Sequence, residues 1–141
     1  MGRKADLAWG SGMVRFKLRF CPMRSFIAKE ARESVHFARM SIACGLAASL
    51  TGAGLAQMRG VNRQSKFLFA RATALYLGHV ALGVPLTQAA GALGRDRASA
   101  RRACARLEDR REIPAYDRAL CGLEAALVLF CAALPSMEAR S

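Results

Sequence analysis

The chain has 141 residues, and its 22 lysines and arginines against 10 aspartates and glutamates give a formal net charge of +12 and a pI near 10.8. The length fits one small domain with a tail, and the positive charge favours an anionic partner, nucleic acid first and an acidic membrane surface second. The sequence has no phosphate-binding loop, no catalytic triad and no paired carboxylates in an apolar stretch, so we expect neither an enzyme nor a bound nucleotide or other cofactor.

Residues 1–24 are predicted to form a flexible basic N-terminal arm. Four apolar residues alternate there with cations: Val14, Phe16, Leu18 and Phe20 with Arg15, Lys17 and Arg19. This alternation indicates a strand, but a single strand without a partner is not stable. The arm either contacts a phosphate backbone or lipid, with lipid the weaker hypothesis, or has no role. Met13 and Met23 are alternative starts, and the early Asp6 argues against a secretory signal.

Residues 25–134 have a helical apolar pattern and predict one domain. The first helix is expected to pack through one side, formed by Phe26, Ile27, Val35, Phe37, Ile42, Leu46 and Leu50. A turn is predicted at Ser49–Gly54, a single helical turn at Leu55–Met58 and a loop at Gly60–Ser65.

Ser65–Leu82 has the strongest helical pattern. Its apolar side consists of Phe67, Ala70, Ala74, Leu77 and Ala81, with Phe69, Leu75 and Tyr76 broadening it. A helix this apolar is buried on several sides, so it is predicted to form the spine of the core. Gly83 ends the helix and Pro85 prevents its continuation. His79 either contacts a phosphate or is a core or partly exposed side chain, and the second interpretation is favoured.

Residues 86–111 are predicted to form a helix-turn-helix. Leu86–Leu93 makes a short helix, Gly94 takes the turn, and Asp96 is placed to cap the second helix. In that second helix, the apolar stripe consists of Ala100, Ala103, Cys104 and Leu107, and the other side carries Arg97, Arg101, Arg102 and Arg106. A helix with a thin inner side and an arginine-rich outer side suits the DNA major groove, although a solvated basic face has the same pattern.

A last helix is predicted from Pro114 to about Leu134, followed by a tail at 135–141. Its apolar side is formed by Tyr116, Leu120, Leu123, Leu127 and Phe130. The Leu127–Phe130 cluster is either core or a contact surface for a partner or a second copy, with core packing favoured.

The cysteines do not suggest a metal site. Cys21, Cys44, Cys104, Cys121 and Cys131 form no Cys-x-x-Cys pair, and His36 and His79 are not spaced as zinc partners for them. We expect them to be small buried apolar residues in a reducing cytosol, and we expect no metal.

Four stretches of the chain follow the order of motifs in a known family. They are Ala74-Leu75-Tyr76-Leu77, Pro85-Leu86-Thr87-Gln88, Gly94-Arg95-Asp96-Arg97-Ala98-Ser99-Ala100 and Ala103-Cys104. With them, Arg71–Glu108 resembles the C-terminal DNA-binding domain of the bacterial replication initiator DnaA, and the ungapped match covers roughly Val35–Leu134. The resemblance implies an all-α fold, a small helical bundle with a helix-turn-helix of the Trp-repressor type.

The resemblance also implies which residues contact DNA. Those expected in the major groove are Asp96, Arg97, Ala98, Ser99 and Arg101; Arg63 is expected in the minor groove; and Lys66, Arg71, Thr87, Arg95 and Arg102 are expected on phosphates. Where the family has His-Thr-Thr, this chain has Arg97, Ala98 and Ser99. Arginine favours guanine O6 and N7, and Ala98 keeps only a methyl group for apolar contact.

Two functions follow as hypotheses. The first is sequence-specific binding of double-stranded DNA by a cytoplasmic, nucleoid-associated bacterial protein that regulates replication initiation or transcription without an ATPase module. The alternative is a non-catalytic adaptor that uses the Leu127–Phe130 face to bind a full-length replication initiator or its regulators.

Overall fold

The computed structural model describes residues 22–138, with the side chains of residues 29–133. This range is helical and contains no β-strand, which confirms the predicted all-α class. The elements are α1 (Pro22–Thr51), α2 (Leu55–Arg59), α3 (Ser65–Tyr76), a π-helical segment (Leu77–Ala81), α4 (Leu86–Ala92), α5 (Arg97–Arg110) and α6 (Pro114–Glu138). The alternating pattern at residues 14–20 and Cys21 lie outside the described residues.

The chain divides after Val35 into two compact units. In the first unit, the described residues belong to the start of α1, where Lys29 Nζ and Glu33 Oε1 lie 3.9 Å apart on an exposed turn. The second unit begins at His36 and contains the rest of α1 and all later elements. All the fully buried side chains of the described range lie in this second unit.

α3 and the π-helical segment form the spine of the second unit, as predicted. The most buried side chains along them are Ala70, Ala74, Leu75, Tyr76 and Leu77, each at most 2% exposed. The end of the spine is closed locally: the Val84 amide donates to the Gly78 carbonyl at 2.9 Å, and His79 Nδ1 donates to the Val84 carbonyl at 2.8 Å. His79 therefore has a structural partner within its own turn, in agreement with the favoured interpretation. Gly83 follows with φ +68°, a left-handed conformation that stops the helix.

The packed face of α1 agrees only in part with the predicted one. Ile42 and Leu46 pack against the core as predicted, and the side chains of Phe26 and Ile27 lie outside the described residues. Val35, Phe37 and Leu50 were expected inside, but their side chains are 48%, 68% and 53% exposed. The buried residues of α1 are instead Met40, Ala43, Cys44 and Ala47. Most of these are small, so α1 can approach the spine closely, and a large side chain on this face would hold the two helices apart.

α1 approaches the spine closely at Gly78. A Cβ atom added there would lie 2.5 Å from Met40 Sδ and 3.8 Å from Ala43 Cβ. Met40 is 2% exposed and cannot move aside without disturbing the core. We expect Gly78→Ala to lower the free energy of unfolding by about 1–3 kcal/mol, as overpacking does. Urea denaturation monitored by circular dichroism measures the change.

Gly122 in α6 provides the matched control for that substitution. It is exposed and a Cβ there meets no atom within 4 Å. Gly122→Ala should therefore raise stability by about 0.5–1 kcal/mol through the helix propensity of alanine. If both substitutions changed the free energy of unfolding in the same direction, a steric role for Gly78 would be contradicted.

α4 and α5 pack through small residues, as the apolar stripe of α5 predicted. Ala89 and Ala90 of α4 are buried, and Gly94 makes the turn between the helices with φ +61°. In α5, Ala100, Cys104 and Leu107 are buried as predicted, whereas Ala103 is half-buried. α5 lies against α3 along this stripe.

α6 packs back on the bundle through Leu120 and Leu127, which are 3% and 4% exposed. Phe130 was expected on the same side, but its side chain is 48% exposed. The helix also continues through Pro135 to Glu138, so the predicted tail at 135–141 is helical over its first residues. Pro135 has no amide to donate, so the last turn of α6 has one backbone hydrogen bond fewer.

Arg111 joins the end of α5 to α3 and α6. Its guanidinium donates to Asp117 Oδ1 at 2.7 Å, to Glu124 Oε1 at 3.0 Å and to the Tyr76 hydroxyl. It also lies 3.0 Å from Cys121 Sγ. The hydrogen bond to Asp117 is the main cause that raises the pKa of Arg111 above its ordinary value. This arginine is therefore a structural residue, held charged between the helices.

The cysteines divide into two groups. Cys44 and Cys104 are buried as expected, and burial raises the pKa of both thiols. Cys121 contradicts the expectation because it is exposed, and Cys131 is half-buried. Among residues 22–138, no three histidine, cysteine, aspartate or glutamate side chains come close enough to hold a metal ion.

Candidate nucleic-acid interface

The loop between α2 and α3 and the outer side of α5 form a cationic surface. The sequence has no acidic residue between Glu33 and Asp96, so the loop at 60–64 and the whole of α3 carry only positive charge. Arg63 in the loop and Lys66 in the first turn of α3 are both exposed. The loop and α3 therefore contribute positive charge without carboxylates, while α5 brings the exposed Asp96, Glu108 and Asp109 to the surface beside its arginines. The net positive charge of this surface attracts a polyanion.

Arg71 does not contribute to this surface, which corrects the expectation that it binds phosphate. Its side chain is 6% exposed and points at the loop. Nε donates to the Met58 carbonyl at 2.6 Å, and Nη2 donates to the carbonyls of Gln57, Gly60 and Asn62. Burial lowers the pKa of Arg71, and the nearby charge of Arg95 lowers it further. Arg71 holds the loop in place from inside.

Arg95 holds the same loop from the side of α5. Its Nη2 donates to the Gly60 carbonyl, the oxygen that also accepts from Arg71. The expected phosphate contact of Arg95 is therefore corrected to a bond within the protein for this nitrogen. The two guanidinium groups of Arg71 and Arg95 therefore hold the loop that carries Arg63 beside the beginning of α5.

The first turn of α5 is capped by the predicted residue. Asp96 Oδ1 accepts from the Ser99 amide at 2.8 Å, and Oδ2 accepts from the Ser99 hydroxyl at 2.6 Å. Arg102 Nη2 donates to the Ser99 hydroxyl at 3.2 Å. Asp96 and Ser99 were expected to contact bases, but their polar atoms are used in this cap. Their role in the structure is to fix where the helix begins.

The hydrogen bonds from the Ser99 side chain and amide lower the pKa of the Asp96 carboxyl below its ordinary value of 3.8. The folded state therefore holds this group charged at a pH where the unfolded chain binds a proton. The stability that the cap contributes is fully present at a pH above the ordinary pKa of the carboxyl group. It is lost as the pH falls through the lower pKa that the group has in the folded protein.

Urea denaturation between neutral and strongly acidic pH should show this loss of stability in the native protein. In Asp96→Asn, whose amide oxygen still caps but does not titrate, the pH-dependent part should disappear. An identical pH dependence in both proteins would exclude the cap as its source.

The exposed side of α5 has Ala98, Ala105 and Asp109 near its centre and arginines at both flanks, with Glu108 between Arg97 and Arg101. A helix turns about 100° per residue, so Ala98 and Ala105 lie opposite the buried Ala100, Cys104 and Leu107. Arg97 and Arg101 lie on one flank, and Arg102 and Arg106 lie on the other, all of them exposed. The centre can approach a surface closely while the long side chains extend beside it.

The remaining predicted phosphate ligands stay on the surface. Lys66 and Thr87 are exposed, and Thr87 lies in the first turn of α4. Lys66 Nζ lies 5.9 Å from the centre of the Phe67 ring, and it is near the Gly52 turn that ends α1. Nothing in their surroundings commits these side chains to the core.

A cleft of about 500 Å³ lies between the loop, α3 and α5. Five arginines line it: Arg63, Arg71, Arg95, Arg106 and Arg110. Neither Arg106 nor Arg110 was among the predicted site residues. The sequence does carry a signal for both, because they follow Ser99 by seven and eleven residues and so share its side of α5.

Comparisons of the chain with models of protein families, with curated proteins and with solved structures find no match. Along residues 22–138, none of the helices combines the length and the apolar character needed to cross a membrane.

Proposed function

We propose that the chain is a non-catalytic protein that binds double-stranded DNA through a helix-turn-helix formed by α4 and α5. The observation that carries this proposal is the outer side of α5, where exposed arginines flank Ala98 and Ala105 on both sides. This distribution suits a helix that enters the major groove, since small residues face the bases and guanidinium groups reach base edges or phosphates. The resemblance to the DnaA C-terminal domain suggests regulation of replication initiation or transcription.

The second support is the position of the loop at 60–64. Arg71 and Arg95 both donate to the Gly60 carbonyl, so Arg63 is held next to the start of α5. With α5 in the major groove, Arg63 would enter the adjacent minor groove. A narrow A·T-rich minor groove concentrates negative potential and attracts arginine.

The contacts with DNA then divide by type. Arg97 and Arg101 would reach base edges, and Arg102, Lys66 and Thr87 would bind phosphates from the exposed positions that they occupy. Arg106 joins the phosphate set because it lies on the same flank as Arg102. Phosphate neutralisation by this set would make affinity fall steeply as salt rises.

Selection of the purified protein on random duplex DNA, followed by sequencing at near-physiological salt, tests the proposal. An enriched motif is expected. Arg97→Ala should relax base preference at one or two positions of that motif, at about 1–3 kcal/mol, whereas Lys66→Ala should weaken all sequences alike. If no motif were enriched and binding disappeared as the salt concentration rose, the protein would be a non-specific DNA-binding basic domain.

The adaptor hypothesis has one observation in its favour. Val128, Leu129 and Phe130 are 49%, 71% and 48% exposed on α6, whereas Leu127 belongs to the core. Leu129→Asp therefore tests this face without disturbing the packing of the core. Leu127→Asp would disturb that packing. The test is a pull-down of a replication initiator. The adaptor hypothesis is favoured if binding persists when the charges of Arg97 and Arg101 are reversed but is lost in Leu129→Asp. The opposite pattern would reject the adaptor hypothesis.

A further inference from the structure

The cleft between the loop, α3 and α5 combines two kinds of lining. Leu68, Phe69 and Ala72 of α3 face Ala103 and Leu107 of α5, so the walls between the two helices are apolar. Several of these side chains are only partly buried, and Leu68 remains 43% exposed. A cleft of about 500 Å³ lies within the size range of sites for small organic ligands.

The charges around these walls are all of one sign. Five arginines line the cleft and no carboxylate does. Arg95 Nε is buried and has no hydrogen-bond acceptor among the described residues. The guanidinium of Arg110 lies 5.3 Å from the centre of the Phe69 ring, which places a cation on the aromatic part of the wall. A buried donor without an acceptor is costly, and it adds to the uncompensated positive charge beside the cleft.

These features exclude the simplest ligands. Inorganic phosphate would pair with the arginines but would leave the apolar walls in contact with water. A neutral apolar compound would cover the walls but would desolvate the guanidinium groups without compensation. We propose that the cleft binds a small organic anion with a flat apolar body, its charge against Arg95 and Arg106 and its body between Phe69 and Ala103.

Occupancy of the cleft has a consequence for DNA. Arg63 and Arg106 line the cleft and also belong to the proposed DNA-binding surface. A bound anion would neutralise them, so ligand and DNA would compete. This regulatory part rests on the proposed function, but binding of the anion itself does not.

Titration of the purified protein with anilinonaphthalene sulfonate, an aromatic anion whose fluorescence rises in apolar surroundings, tests the site. We expect saturable binding of one molecule per chain, and we expect Arg106→Gln to weaken it about fivefold, the loss of one charge-assisted partner. Arg101→Gln is the matched control, with the same charge change on the opposite flank of α5, and should change affinity less than about twofold. Backbone amide NMR shifts should cluster at Val61, Phe69 and Ala103.

Equal losses in the two variants, absence of saturation, absence of binding, or amide shifts centred on Leu129 would each overturn the proposed site. The same variants titrated with duplex DNA keep the two proposals separate. Arg101→Gln should weaken DNA binding while leaving probe binding intact. If neither the native protein nor any variant bound DNA, the proposed DNA function would be rejected, and the proposed anion site in the cleft would be unaffected.

Discussion

Reversal of Arg97 and Arg101 together to glutamate is expected to lower affinity for duplex DNA by about a hundredfold or more at near-physiological salt. Each arginine at a base edge contributes about 1–3 kcal/mol, and each reversal adds repulsion from phosphates. Both side chains are exposed on one flank of α5, away from its buried stripe, so the fold should survive. Fluorescence anisotropy with a labelled duplex measures the loss, and circular dichroism confirms the helix content.

Arg118→Glu separates a local contact from a general effect of charge. Arg118 is exposed on α6, and its reversal makes the same change of charge as the reversal of Arg97 alone. We expect Arg118→Glu to change affinity only through the net charge, several-fold at low salt and much less when salt screens the field. Comparable losses from the two single reversals at every salt concentration would reject α5 as the DNA-reading helix.

Replacement of Arg71 by methionine should lower the free energy of unfolding by about 3 kcal/mol, because its guanidinium holds the loop at 60–64 from inside the protein. Methionine occupies a similar space but donates no hydrogen bond. The carbonyls of Met58 and Asn62 would lose a charged donor, whereas the Gly60 carbonyl keeps its bond from Arg95. An acceptor left without a partner costs about 1–3 kcal/mol before water compensates. Urea denaturation measures the change.

Two further substitutions make that result interpretable. Arg39→Met removes a partly buried arginine that donates a single bond, from Nη1 to the Leu82 carbonyl at 3.0 Å, and should cost only about 1 kcal/mol. Arg71→Lys should recover little, because one ammonium group cannot reach acceptors spread along the loop. If Arg71→Met were no more harmful than Arg39→Met, the loop would be held by other contacts.

Features that depend on a few neighbouring residues were predictable from the sequence. The Asp96 cap bonds to a residue three positions away, and Gly83 and Gly94 adopt left-handed conformations that close their own turns. The apolar stripe of α5 was also predictable, because its period of 3.6 residues is a property of one helix. The same period identified Leu120 and Leu127 on α6.

Features that depend on distant partners were not predictable. The face of α1 that packs is decided by Gly78, far along the chain, which admits Met40 and small residues and leaves Phe37 outside. An arginine in a helix that follows a basic loop has the pattern of a phosphate ligand. Only the folded chain brings the carbonyls of residues 57–62 around Arg71 and makes it an interior residue.

The Gly60 carbonyl accepts hydrogen bonds from both Arg71 and Arg95, and this arrangement affects where the chain tolerates an insertion. Surface loops usually accept insertions, because their backbone groups bond to water. Here the loop at 60–64 is a poor place for a tag or an added residue, since a shift of one position would separate the carbonyl from both guanidinium groups at once.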